Sequence, residues 1–238
     1  WGVLGWDAAG IVRAVGPQVS LFRPGDRVWY AGDITRAGSN AELQAVDERI
    51  VGHLPCTLDF AQAAALPLTA ITAWEMLFDR LRIAPGKRPT DERLLIVGAG
   101  GGVGSILVQL ARRLTGLTVI GTASRAETQS WVRELGAHHV LDHSRPLADE
   151  LKRIGFADVS HVVSLTHSEE HFAQIVEVLA PQGCFGLIDD PATPLDVRKL
   201  KAKSVSLHWE LMFTRSLFQT ADMIAQHRLL CELAALVD

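Results

Sequence analysis

An apolar run, Leu94-Leu95-Ile96-Val97, leads directly into Gly98-Ala99-Gly100-Gly101-Gly102-Val103-Gly104, and a helical pattern follows over residues 103–114. A strand that ends in glycines and turns straight into a helix opens a strand–helix–strand unit. Its crossover must return the next strand parallel to the first. The chain keeps that rhythm. Apolar strand patterns recur at residues 117–120, 139–141, 159–165, 184–188 and 205–211. Helical patterns lie between them at 127–135, 147–154 and 169–179, with a closing one at 221–237. Such alternation requires a parallel sheet covered on both faces, so the spacing predicts a doubly wound α/β domain over residues 61–238.

Residues 1–60 read differently. They carry short apolar runs and turn pairs, with Pro24-Gly25 between Val19-Ser20-Leu21-Phe22 and Arg27-Val28-Trp29-Tyr30. Proline presets the first central position of a type II turn and glycine supplies its positive φ, which predicts a separate β-rich domain. The 238 residues, 48% of them hydrophobic, suffice for one or two cores without a disulfide or metal staple. A net charge of −4 argues against a basic nucleic-acid surface, and no apolar run reaches the length of a membrane span. The three cysteines, Cys56, Cys184 and Cys231, are isolated and odd in number. They form neither a zinc-ligand spacing nor a complete disulfide framework. A soluble protein of a reducing, cytoplasmic compartment is the expectation.

The glycine loop has a chemical reading. Without side chains the backbone turns tightly and a pyrophosphate can approach it, its charge resting at the positive end of the helix. A triphosphate-binding loop would need a lysine after its last glycine, whereas Gly104 is followed by Ser105. A strand-to-helix turn with no ligand is the alternative. The next strand ends in Ser124-Arg125, with no acid before Glu127. A hydroxyl and a fork-shaped permanent cation suit the 2′-phosphate of NADPH, where a carboxylate would select NAD. Ser124 is equally suited to cap the following helix. His167 and His171 stand four apart, as paired metal ligands do, but no third ligand is evident, and no metal is expected.

Further segments carry a family resemblance. Gly5-Trp6-Asp7-Ala8-Ala9-Gly10-Ile11-Val12, the turn Phe22-Arg23-Pro24-Gly25-Asp26-Arg27-Val28, and Ala63-Ala64-Ala65-Leu66-Pro67-Leu68-Thr69-Ala70-Ile71-Thr72-Ala73-Trp74 join the loop glycines Gly98, Gly101 and Gly104. Together they resemble the medium-chain dehydrogenase/reductases, in their quinone oxidoreductase-like branch that includes the zinc-type alcohol dehydrogenase-like proteins. The resemblance covers essentially the whole chain. It implies a Rossmann domain over 61–238 and part of a GroES-like catalytic domain over 1–60, with the family's opening and returning strands expected to be missing.

It also implies cofactor contacts at Thr72, Gly98, Gly100, Gly101, Gly102, Val103, Gly104, Ser124, Arg125, His143, Leu165, Thr166, Ile188 and Asp189, with His143 standing where relatives often have tyrosine. Where zinc-dependent members carry a histidine and a cysteine ligand, this chain has Trp6 and Leu68, which cannot bind zinc. The expected activity is therefore zinc-independent hydride transfer from NADPH to a quinone, enone or related carbonyl. A zinc alcohol dehydrogenase and a non-catalytic nucleotide-binding or interaction protein are the alternatives. A small-molecule substrate and a homodimer are expected; Trp209-Glu210 near the last strand shapes either the substrate end or a dimer edge, with core packing the alternative for Trp209. Tyr30, the only tyrosine, has no reason to be a proton donor, and no catalytic residue is named.

Overall fold

The Pro24-Gly25 reversal forms as its residues dictate: Gly25 takes φ +97° and Asp26 N–H donates to the Arg23 carbonyl at 3.1 Å. It joins β1 (Ala8–Ile11) to β2 (Arg27–Tyr30), which pair antiparallel, and β3 (Gly52–His53) adds to the other side of β2. Val28 and Tyr30, two residues apart on one face of β2, meet Phe22 and Val51 in a small core. Helix α1 (Phe60–Ala64) is started by Asp59, which accepts from Gln62 N–H while the Gln62 side chain accepts from Asp59 N–H, a reciprocal capping box. Helix α2 (Pro67–Trp74) begins with proline, whose missing N–H costs nothing in a first turn, and runs into a wider π-helical turn at Glu75–Arg80.

The computed structural model describes residues 2–238 and divides the chain into two compact units. Ala73–Glu210 form the second. It contains β4 (Arg93–Val97), β5 (Thr118–Thr122), β6 (His139–Leu141), β7 (Val159–Ser164), β8 (Leu179–Leu187) and β9 (Ser206–Trp209). Its main helices are α3 (Gly102–Leu114), α4 (Ala126–Glu134), α5 (Leu147–Arg153) and α6 (Ser168–Val178). The strands are all parallel in the order β6-β5-β4-β7-β8-β9, so the winding reverses between β4 and β7. Helices cover both faces of the sheet, which explains why Leu94, Leu95, Ile96 and Val97 are all fully buried rather than alternating. Full burial of each leucine contributes roughly 1.5–3 kcal/mol. Lys203 closes the C-terminal end of α6, its ammonium donating to the carbonyls of Val176, Glu177 and Leu179 at 2.6–3.0 Å.

The first unit comprises the chain up to Thr72 together with Leu211–Asp238. The latter carries α7 (Thr214–Leu217) and α8 (Ile224–Val237). This differs from a domain running from residue 61 to 238, and the physical reason is on α8. Its apolar residues Leu229, Leu230 and Leu233 are buried, Leu230 lies against Gly52 of β3, and His227 Nδ1 donates to the Val51 carbonyl at 2.6 Å. The terminal carboxylate-bearing residue Asp238 then accepts from the amides of Cys56 and Thr57 at 3.0 and 2.9 Å. The returning helix completes the small β unit, whose three strands have too little apolar surface to bury by themselves. Among the described residues no helix is long and apolar enough to cross a membrane.

Candidate functional site

At the carboxyl end of β4 the three spaced glycines have separate roles. Gly98 takes φ +84°, a conformation L side chains rarely adopt, and makes the sharp exit from the strand. A Cβ on Gly104 would lie 2.5 Å from the Gly98 carbonyl oxygen and 2.7 Å from Ala99 backbone atoms, so that glycine lets α3 press against the loop. Gly101, the N-cap of α3, is different. A Cβ there would meet nothing closer than 3.5 Å, and no side chain caps the helix. Nothing in the protein needs glycine at this position. A pyrophosphate laid over the free N–H groups of α3 does need it, and the loop therefore fits such a group.

The loop forms one wall of a groove of about 1190 Å³ at the carboxyl edge of the sheet, beside the point where the winding reverses. Gly98, Gly100, Gly101, Gly102, Val103 and Gly104 all line it. So do Ser124 and Arg125 after β5, His143 after β6, Leu165 and Thr166 after β7, and Ile188 after β8. The pairing of β4 with β7 delivers this, because Leu165 N–H continues the ladder by donating to the Val97 carbonyl at 3.1 Å. Ser124 does not cap α4: Arg125 occupies the N-cap position, and no side chain caps that helix. Among the described residues neither the Ser124 hydroxyl nor the Arg125 guanidinium has a protein partner, so both are available to an anion.

Two of the expected contact residues make bonds within the protein. Asp189 does not line the groove; its carboxylate accepts from Ser168 N–H at 2.9 Å and from the Ser168 hydroxyl, which fastens the start of α6. Thr72 belongs to the first unit, where its hydroxyl donates back to the Leu68 carbonyl at 2.8 Å. Other lining residues were not singled out from sequence. Thr122 closes β5; Trp131 on α4 donates from Nε1 to Ser105 Oγ at 3.0 Å; and the Thr128 methyl packs where a Cβ on Gly100 would fall. Period-2 and period-3.6 patterns mark which residues are buried, not which stand at a strand's end. Only Thr122 carried a usable signal, as a hydroxyl two residues before the predicted phosphate-binding pair.

His167 and His171 do not converge as ligands. His167 sits at φ +52° with Nδ1 2.7 Å from Thr166 Oγ1, while the His171 ring lies 5.7 Å from that of His143. Among the described residues no group of three or more His, Cys, Asp or Glu side chains is placed to hold a metal ion. At the positions where the resemblance puts zinc ligands, Leu68 N–H donates to Asp7 Oδ1 at 2.8 Å. Burial pushes the Asp7 carboxyl up to about 6 against the opposing effect of that hydrogen bond. Tyr30 is buried, which raises its phenol further above neutrality. Trp209 is 52% exposed and belongs to no core, whereas its neighbour Glu210 is buried and accepts from Arg80 Nε at 2.6 Å.

Known proteins share these features. Residues 2–65 match the alcohol dehydrogenase GroES-like domain family and residues 102–226 the zinc-binding dehydrogenase family. A zinc-type alcohol dehydrogenase-like protein of Staphylococcus aureus is 42% identical over 229 residues, spanning 96% of this chain and 68% of that protein. A solved Rhizobium etli protein, described as a candidate zinc-dependent alcohol dehydrogenase, superposes with a TM-score of 0.95 at 59% identity, over 100% of this chain and 69% of its own. Quinone oxidoreductase of Escherichia coli, solved with NADPH, superposes with a TM-score of 0.81 at 28% identity over 98% of this chain and 70% of its own. With a glycine loop, a reversing parallel sheet and both domain families in one chain, the protein belongs to the medium-chain dehydrogenase/reductase superfamily of oxidoreductases.

Proposed function

We propose that the protein is an NADPH-dependent, zinc-independent reductase of quinones, enones or related carbonyl compounds. The observation that carries this is Ser124-Arg125 at the end of β5, both partnerless among the described residues and both on the groove that the glycine loop opens. Their hydroxyl and guanidinium match a 2′-phosphate, and the uncapped first turn of α4 adds N–H groups beside them. The similar Escherichia coli quinone oxidoreductase was solved with NADPH, which supports the same choice.

A nicotinamide supplies the hydride when bound. The chain's own residues bind and orient. The α3 N-terminus takes the pyrophosphate, Ser124-Arg125 the ribose phosphate, and Leu165, Thr166 and Ile188 line the groove beyond the switch point. Oxygen activation by zinc is left out of this reading because Trp6 and Leu68 offer no lone-pair donor of the kind zinc needs. The protein is read as a homodimer joined through β9, the strand at the sheet's end, whose Trp209 stands half in solvent. A reducing, cytoplasmic setting suits its three free cysteines.

Calorimetric titration with NADPH and then NADH tests the cofactor. Arg125→Ala is expected to weaken NADPH binding about 10- to 100-fold and to leave NADH unchanged, the loss of a charge-assisted hydrogen-bonding pair. Equal losses for both nucleotides would remove the phosphate assignment. NADPH oxidation across a panel of quinones and enones tests the reaction, and stoichiometric zinc by elemental analysis would overturn the metal-free reading.

A further inference from the structure

Two polar groups converge on the buried hydroxyl of Thr122. Gly98 N–H donates to Thr122 Oγ1 at 3.2 Å, and His143 Nδ1 lies 3.3 Å from the same oxygen. The strand pairing explains the meeting: Thr122 ends β5 opposite Leu141, the last residue of β6, and His143 follows two residues later in the turn after that strand. A backbone amide can only donate, so the hydroxyl accepts from Gly98 and keeps one proton of its own. If His143 Nδ1 were also a donor, that proton would have no acceptor among the described residues at a side chain that is 1% exposed, an expensive arrangement. The proton therefore goes to Nδ1, and the neutral ring carries its own proton on Nε2. The His171 ring packs edge-on against the His143 ring, 5.7 Å away at 66°.

Resting on the dinucleotide reading of the groove, we propose that Thr122 is a positioning residue that locks His143 as its Nε2–H tautomer, presenting one N–H to an oxygen at the ribose end of the nucleotide. The order of donation is fixed throughout: Gly98 N–H to Thr122 Oγ1, Thr122 O–H to His143 Nδ1, His143 Nε2–H to the ligand. One end of the glycine loop thereby sets the hydrogen-bonding sense of another side chain that lines the groove. The acceptor is a ribose hydroxyl or a 2′-phosphate oxygen.

The test has a part that needs no nucleotide. At pH 8, above the ordinary imidazole range, the imidazole 15N shifts of His143, assigned with His143→Phe, are expected to show a bare Nδ1 and a protonated Nε2. Thr122→Val is expected to mix the two tautomers, and Thr122→Ser to retain the first. A protonated Nδ1 in the wild type, or no change in Thr122→Val, overturns the proposal. In titrations, Thr122→Val and His143→Phe are each expected to weaken NADPH about tenfold, with Thr122→Ser near wild type. The double variant is expected to be no weaker than His143→Phe alone; a further drop would mean that Thr122 acts only by holding the loop, and would overturn its positioning role. A drop confined to NADPH identifies the phosphate oxygen as acceptor, and an equal drop with NADH the ribose hydroxyl; no drop with either refutes the ligand contact. Wild-type protein that shows the expected tautomer but binds neither nucleotide would take down the dinucleotide reading and the ligand contact with it, leaving the internal relay as the part that stands.

Discussion

Replacing Gly101 and Gly104 by alanine, one at a time, separates folding from binding within a single loop. At Gly104 the new methyl carbon would sit 2.5 Å from the Gly98 carbonyl oxygen and 2.7 Å from two Ala99 backbone atoms. Backbone cannot swing aside as a side-chain tip can, so α3 must move off the loop, an overpacking cost of about 2–3 kcal/mol. For a chain of this size that corresponds to roughly 4–12 °C in Tm. At Gly101 the nearest atom would be 3.5 Å away and φ is −79°, which any residue adopts. Alanine caps a helix less well than glycine but loses less chain entropy, two effects of roughly 0.5–1 kcal/mol each that nearly cancel. Gly101→Ala is therefore expected to melt within about 2 °C of wild type, while NADPH affinity falls at least tenfold because the methyl occupies the space over the α3 amides. Differential scanning fluorimetry and calorimetric titration on both variants read the two quantities. A stable Gly101→Ala that binds NADPH as the wild type does would refute the argument, because the space over Gly101 would then not be needed by the nucleotide.

Other perturbations test the charges. Asp7→Asn is expected to stabilise the first unit at pH 7.5. The native carboxyl titrates near 6 against 3.8 for a free one, so the native state holds the proton more tightly, and stability is lost as pH rises from about 4 to 6. The full shift would be about 3 kcal/mol, which partial solvent access reduces to about 1–2, and the gain should vanish by pH 4 in urea titrations. The second unit should respond in the opposite sense. His161, His138, His171 and His208 are all held below 6.5, in each case first by burial, so the native state excludes their protons. Its stability should be full above pH 6.5 and decline below it, read by hydrogen exchange resolved along the chain. Arg80→Met removes the guanidinium that meets buried Glu75 and Glu210 and should cost about 3 kcal/mol by chemical denaturation. Trp209→Glu should turn a dimer into a monomer in sedimentation if β9 forms the interface, with NADPH binding retained.

Much of the second unit could be read directly from the sequence because its governing forces are periodic. A parallel sheet buried on both faces demands continuous apolar strands, and Leu94 to Val97 show one; a crossover demands a helix, and residues 103–114 supply the period. The glycine loop was equally legible, since φ +84° at Gly98 and the Cβ clash at Gly104 leave few alternatives to glycine. The type II reversal at Pro24-Gly25 was readable for the same local reason. Ser124 and Arg125 follow from where β5 stops, and strand ends are placed well when a turn pair follows an apolar run.

What sequence did not reveal is decided by partners far along the chain. Asp189 stands at a strand's carboxyl end just as Ile188 does, yet its carboxylate closes on Ser168, 21 positions earlier, and it leaves the groove. Nothing local distinguishes the two fates, because the competing donor comes from the start of another helix. Helix α8 has the same amphipathic pattern as a Rossmann helix. It joins the first unit because Gly52, 178 positions before Leu230, leaves a gap on β3 that a leucine fills. Thr122 is the sharpest case. A threonine in a strand is ordinarily explained by β-propensity, and that explanation is complete until β6 brings His143 beside it. Its hydroxyl then has one donor, one acceptor and no remaining choice of direction. Side-chain chemistry of this kind is determined by register, and the register of β6 on β5 depends on the crossover that joins them; reading one segment at a time finds Ser124-Arg125 and passes over Thr122.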